Sequence, residues 1–188
     1  MSDTPHPEPQ GERIAAGALF RAYAGFVAKF LQHLGVPRRE VDDLVQDVFM
    51  TVHRKGGYVV GPALPRTWLA AIAVRIAQNS RRAQRRGELF SARLAAEELT
   101  PSVSDPGQQV ELRRGLERVQ RALERMPLEQ RAAFVLYELE GETCESIAAS
   151  WEVPIGTIYS RLHHARRAFM SAYAADAEPQ PEKQVMGK

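Results

Sequence analysis

Between residues 41 and 52 the apolar positions are Val41, Leu44, Val45, Val48, Phe49 and Val52. Their spacing of i, i+3, i+4, i+7, i+8 and i+11 puts all six on one stripe of an α-helix. Pro37 suits the first turn of that helix and Gly56-Gly57 ends it. The same period runs over residues 12–34 and stops at Gly35, a residue suited to the left-handed position that closes a helix. After a loop, Pro65 opens a third helix with Trp68, Leu69, Ile72, Ala73 and Ile76 inward. Further helices are predicted over residues 110–125, ending at Met126-Pro127, and 128–140, ending at Gly141. Thr143 caps a short helix through Ser150, and Pro154 opens a last one through about residue 173. No stretch alternates with the two-residue period of a strand, and nothing repeats.

The pattern predicts an all-α chain: two small helical domains joined by a flexible linker, the second with a helix-turn-helix. Residues 1–11, Pro-rich and polar, read as a disordered N-terminal extension, and 12–98 as the first domain. Residues 99–109 read as the linker, 110–175 as the second domain and 176–188 as a disordered tail. A length of 188 residues accommodates two such domains. The single cysteine excludes a disulfide framework and a Cys-rich metal centre. No apolar run is long enough to cross a membrane and no signal peptide opens the chain, so a cytoplasmic protein without membrane insertion is expected. A glycine-rich phosphate loop, a metal-ligand cluster and a Ser/His/Asp motif in recognisable context are all missing. The chain is therefore expected to be no enzyme and to need no cofactor.

The net charge of +2 conceals a strong segregation. Arginine, the better fork for phosphates and base edges, supplies 21 of the 25 basic residues. Five arginines and no acid lie between Arg75 and Arg86, and five glutamates and no base between Glu138 and Glu152. Opposed blocks of this kind suggest a nucleic-acid surface and a separate acidic face.

Residues 142–169 have helix-turn-helix form, with the small Ala148 where a second helix approaches and a tight turn at Trp151 to Val153. In the following helix Ile158, Leu162, Ala165 and Phe169 share one sector, while Gly156, Ser160, His163, His164 and Arg167 face away. The outer face offers donors and acceptors to a major groove, and Arg161 and Arg166 flank it where phosphates would lie. A solvated bundle helix is the plainer reading of the same pattern. The adjacent histidines lack a carboxylate or cysteine at ligand spacing, so a metal role is disfavoured. Cys144 reads as structural, having no basic neighbour in sequence.

In the third helix Trp68, Arg75, Asn79, Arg82 and Arg86 share a stripe beside the apolar face. Arginines at that density without acids suit the phosphates of a strand whose bases stack on an aromatic ring. Trp68 taken alone reads as core at a domain rim. Asp43, Gln46, Asp47, Met50 and Arg54 lie opposite the apolar stripe of the second helix, an acidic face with an outward methionine suited to protein docking.

These features, in this order, resemble the extracytoplasmic-function (ECF) branch of the bacterial sigma-70 family, from about residue 19 to 172. Asp42-Asp-Leu-Val-Gln-Asp-Val-Phe49 looks like region 2.2, which in the family docks on the β′ clamp helices of RNA polymerase. Pro65-Arg-Thr-Trp-Leu-Ala-Ala-Ile-Ala73 and the arginines after it look like regions 2.3 and 2.4, which melt and read the −10 element. Met126-Pro-Leu-Glu-Gln-Arg-Ala-Ala-Phe134 looks like region 4.1. Ser146-Ile-Ala148 with Pro154-Ile-Gly-Thr-Ile-Tyr-Ser-Arg161 looks like region 4.2, the reader of the −35 element.

The resemblance implies that Asp43, Gln46, Asp47 and Met50 contact polymerase. It implies that Trp68, Arg75, Asn79, Arg82 and Arg86 lie along the −10 strand, with the loop before Pro65 near an extruded base. Tyr159, Ser160, His163, His164 and Arg167 would face −35 base edges, with Thr157, Arg161 and Arg166 on phosphates. The implied partners are core RNA polymerase (the β′ clamp helices and the β subunit) and promoter DNA, and the resemblance admits an anti-sigma factor. The sequence departs from the family at Glu152, where a glycine is common in the turn, at Ser80-Arg81, and at the paired histidines. The competing reading is a free-standing helix-turn-helix regulator acting without polymerase, which leaves the first half of the chain unexplained.

Overall fold

The computed structural model describes residues 11–91 and 108–175, with side chains over 11–84 and 115–175. The expected extension over 1–10, most of the linker and the tail after 175 lie outside the described residues. Three helices form the first half: α1 (Ala16–His33), α2 (Arg38–Arg54) and α3 (Pro65–Ser91). Four form the second: α4 (Gln108–Glu124), α5 (Leu128–Phe134), α6 (Cys144–Trp151) and α7 (Ile155–Ala175). The one departure from an all-helical reading is a two-residue antiparallel ribbon. It pairs Arg13 with Val59 and Ile14 with Tyr58, so α1 starts at Ala16 and not at residue 12. A strand two residues long carries no periodicity to detect.

The predicted stripe of α2 is buried in full, from Val41 to Val52, against α1 and α3. Helix α3 carries apolar residues on more than one side: Leu69, Ala70, Ala71, Ile72, Ala73 and Val74 are all buried. One side meets α1 and α2; another meets α5 and α6. The buried apolar residues of both halves therefore form one contiguous cluster. The single helix expected over 128–140 is α5 followed by a π-turn, Val135–Leu139, in which Glu140 N donates to Val135 O at 3.1 Å. The wider turn holds one residue more than an α-helical turn would, and it delivers the chain to Gly141.

The seam between the halves is polar at its centre. Arg131 of α5 is 1% exposed, and its Nη1 donates to Leu34 O, the closing carbonyl of α1, at 2.7 Å. Arg81 of α3 donates to the same carbonyl, and Gln120 of α4 reaches Gln32 O at 3.4 Å. Burial, then the neighbouring Arg81, lowers the Arg131 guanidinium to about 10, which leaves it charged at neutral pH. Further along the seam Thr67, Ser146 and Ser150 form a buried hydroxyl cluster, with oxygen–oxygen distances of 2.9 Å and 2.6 Å to Thr67. At its rim Arg66 pairs with Glu140 and Glu142 and lies over the Phe26 ring.

Gly35 has φ +81°, and a Cβ there would stand 2.6 Å from Arg131 Nη1 and 3.0 Å from Arg81 Nη2. Gly35→Ala is expected to destabilise the protein by roughly 1–3 kcal/mol, through the left-handed backbone and the displaced guanidinium. An unchanged urea midpoint would show that the Arg131 contact is dispensable. His33, in the last turn of α1, has its imidazole held below the ordinary 6.5 by burial and then by Lys29, against an opposing pull from Glu140. Folding favours its neutral form, so its contribution to stability is complete above pH 6.5 and drains away as pH falls further. Glu142, whose carboxyl burial pushes up against the pull of Arg66, acts with the opposite sign. The melting temperature is expected to fall from neutral pH to about pH 5.5, and less steeply in His33→Gln. Equal slopes in the two proteins would exclude His33 as the source.

Candidate nucleic-acid interface

Helix α7 has the two faces its sequence predicts. Ile158, Leu162 and Ala165 are buried against α5 and α6, with Phe169 stacked on Phe134 at 5.1 Å. Tyr159, Ser160, His163, His164 and Arg167 are exposed on the other side, and Thr157 is half-buried near the helix start. Thr143 caps α6 as expected, its hydroxyl accepting from Ser146 N at 3.2 Å. The turn between α6 and α7 forms with Glu152 in the left-handed region, φ 54° and ψ 43°. A glycine would adopt that conformation without a steric penalty. Here Val153 N closes the turn on Ala148 O at 3.1 Å, and the structure accepts the glutamate.

The two arginines that flank this face are held by glutamates of their own half. Arg161 is paired with Glu129 of α5 and lies over the Trp151 ring at 5.3 Å. Arg166 donates to Glu138 at 2.7 Å, lies 5.3 Å from the Tyr137 ring centre, and has its guanidinium pushed up by that hydrogen bond. The acidic block from Glu138 to Glu152 is thus partly spent on arginines of the chain: Glu138 on Arg166, Glu140 and Glu142 on Arg66. This corrects the expectation of a wholly separate acidic face. Among the described residues no group of three His, Cys, Asp or Glu side chains converges as a metal site. The Cys144 thiol is pushed up by burial and then by Glu145, the reverse of an activated thiolate.

On α3, Arg75, Asn79 and Arg82 are exposed, in line along the helix. Trp68 is half-buried, its ring 5.4 Å from that of Tyr58, so packing at the rim accounts for it. Arg86 lies within α3, but its side chain is outside the described residues. The structure places this stripe beside the second half of the chain, which the sequence did not foretell. Gln78 donates to Glu129 Oε1 at 3.2 Å, while Arg161 takes Oε2 of the same carboxylate. Arg75, Gln78, Glu129, Trp151 and Arg161 line one cleft. Glu129 and Arg131, which join the two halves, carry no role in the sequence reading. The available signal for Arg131 was a charge set at the head of the apolar run Ala132 to Leu136, on a helix face that should be buried.

On α2, Asp43, Gln46, Asp47 and Met50 are all exposed. Gln46 and Met50, with Asp42, border an apolar cleft between α1 and α2 whose floor includes Val45, Phe49 and Phe20, while Asp43 and Asp47 lie outside its lining. Phe20, 48% exposed, stands edge-on to Phe49 at 5.0 Å. An acidic rim beside exposed aromatic and thioether groups suits a protein partner with a basic and apolar surface. Among the described residues no helix is long and apolar enough to cross a membrane.

Two family models match the chain: sigma-70 region 2 over residues 19–87 and sigma-70 region 4 over residues 116–169. The chain is 32% identical over 170 residues to the ECF RNA polymerase sigma-E factor of Escherichia coli (strain K12), covering 85% of this chain and 86% of that protein. It is 30% identical over 159 residues to the RNA polymerase sigma factor NccH of Alcaligenes xylosoxydans xylosoxydans, covering 84% and 86%. Solved structures share its fold, among them the following two. The sigma factor RpoE of Bartonella quintana, in complex with the anti-sigma factor NepR, has a TM-score of 0.65 at 24% identity, covering 84% of this chain and 95% of that one. CnrH, in complex with the cytosolic domain of CnrY, has a TM-score of 0.60 at 21% identity, covering 86% and 89%.

Proposed function

The chain belongs to the ECF branch of the sigma-70 family of RNA polymerase sigma factors, and on that premise we propose how its surfaces divide the work of promoter-specific initiation. The acidic α2 face with Asp43, Gln46, Asp47 and Met50 docks on the β′ clamp helices of core polymerase, and the apolar cleft at Phe20 and Phe49 receives an apolar side chain of that partner. The α3 stripe with Arg75, Asn79, Arg82 and Arg86, and Trp68 at its head, follows the −10 strand. In the second half Tyr159, Ser160, His163, His164 and Arg167 face −35 base edges, while Thr157, Arg161 and Arg166 take phosphates. That half also contacts the β subunit. An anti-sigma factor is a further partner, as NepR is for the RpoE of like fold. The protein acts by binding and not by catalysis, in the cytoplasm with polymerase.

The observation that carries this division is the coexistence, on one chain, of an exposed acidic helix face and two separate arginine-bearing faces. A free-standing regulator would have use for only one of the three. It is not favoured, because residues 19–87 belong to the region 2 family.

Changing Asp43 and Asp47 together to Arg is expected to abolish co-elution with sigma-free core RNA polymerase on a sizing column, with helix content unchanged, since both side chains are exposed. Normal co-elution of the double variant would overturn the docking face. Arg166→Ala is expected to weaken binding to all promoter sequences and to lower the slope of log affinity against log salt by about 1. Ser160→Ala and His164→Ala should instead change which −35 sequence is preferred, read by selection from a randomised duplex. A general loss without altered preference would remove those two residues from base readout.

A further inference from the structure

Resting on the assignment of α7 to the −35 element, we infer that His164 chooses its base by its charge. The protonated imidazole selects guanine and the neutral one admits adenine or cytosine, so promoter preference shifts with pH. His164 stands at i+4 from Ser160 and i+7 from Thr157, in the middle of the outer face of α7. It is exposed, and His163 is set to one side of it, lining a cavity with Tyr137, Cys144, Tyr159 and Arg166. The two rings meet edge-on with centres 5.6 Å apart. Among the described residues neither ring makes a hydrogen bond or an ion pair, so the nitrogens of His164 are open to a base edge.

A neutral imidazole carries one donor and one acceptor nitrogen, whereas the cation carries two donors. Guanine shows only acceptors, N7 and O6, to the major groove, while adenine N6 and cytosine N4 are donors there. The cation therefore meets guanine and is refused by the amino groups, which a neutral acceptor nitrogen pairs with. Histidine is the side chain whose charge ordinarily changes between about pH 5 and pH 8. The surroundings leave that charge to the DNA. On α7 the flanking cations at i−3 and i+3 are Arg161, already paired with Glu129 of α5, and Arg167. The π-turn contributes Tyr137, and Glu138 that is paired with Arg166. From α6 come Cys144 and, in the adjoining cavity, Glu145. On α4, Arg118 is bound near the far end of α7, to Tyr173 O, and Glu117 is paired with Arg121. None of these carboxylates is bound to either histidine, so a proton taken up by the pair is a net positive charge on the reading face. A second charge 5.6 Å from the first is repelled by it, so the face gains one charge and not two.

The test joins the full chain to sigma-free core RNA polymerase and selects bound promoters from a duplex library randomised across the −35 element, at about pH 6 and about pH 8. Preference is read as the ratio of bases at each position, so a general effect of pH on binding or stability cancels. At one −35 position the ratio of guanine to adenine plus cytosine is expected to fall roughly fivefold or more from the lower pH to the higher, the low end of discrimination by one good base contact. His164→Arg, always charged, should hold guanine at both pH values. His164→Gln, never charged, should give one preference at both. The side chain is exposed, so both variants are expected to keep the fold. A wild-type preference identical at the two pH values, or a shift that persists undiminished in both variants, would overturn the reading by charge. Variants with altered preference beside a wild type indifferent to pH would leave base readout by α7 standing and sink the charge inference alone. Absence of any −35 enrichment, in every form and at both pH values, would overturn the promoter-reading assignment itself.

Discussion

One buried guanidinium organises the contact between the two halves. Arg131 brings a full positive charge to the carbonyl end of α1, where the helix presents unsatisfied oxygens and the negative end of its dipole. The charge is costly to desolvate, and only a site of that polarity makes the cost bearable. Its neighbours follow from the same requirement. Residue 35 must be glycine to leave room, Val36 N must turn back to Leu31 O, and Arg81 must converge on the same carbonyl from α3. The end of the first helix is thereby a docking point for α3, α4 and α5 at once.

The elements that the sequence revealed most clearly are those with a single buried face. Helix α2 and helix α7 each bury one stripe and expose the other, so a period of 3.6 residues identifies both faces and the candidate residues on them. Helix α3 was legible in extent but not in packing. Its alanines at 70, 71 and 77 read as helix formers, and nothing in the pattern says that a second layer closes on the helix beyond the inward face of Leu69, Ile72 and Ala73. The seam was the least legible part. Thr67, Ser146 and Ser150 look like solvent-facing or capping residues in any window of sequence, and they become a cluster only when two helices about 80 positions apart are brought together. The expectation of two domains on a flexible tether captured the composition of the connecting segment but not the contact that the tether permits.

Charge segregation along the sequence turned out to be partly internal complementarity. Opposed blocks read as two surfaces for two partners, yet Glu129 and Glu138 already neutralise the arginines best placed for phosphates. A phosphate reaching either one meets a carboxylate already beside it. A weakly held duplex therefore gains less from each guanidinium than the bare charge count suggests. The exposed α7 face of Tyr159, Ser160, His163 and His164 carries no such counter-charge in its own helix, and under the proposed division discrimination between sequences is left to it.

The π-turn at Val135–Leu139 fixes how the second half tolerates change. One residue more than an α-helical turn holds has been absorbed there, so the chain after it keeps the heading of a helix one residue shorter. Removing one residue from this stretch would restore ordinary winding with that heading kept, whereas removing one from the α-helical turn before it would rotate the downstream chain by about 100°, at 3.6 residues per turn. Glu140 and Glu142 would then leave Arg66, and α6 would swing off α3. Val135 and Leu136 are fully buried in the same stretch, so its side chains and its length together fix the path of the chain into α6.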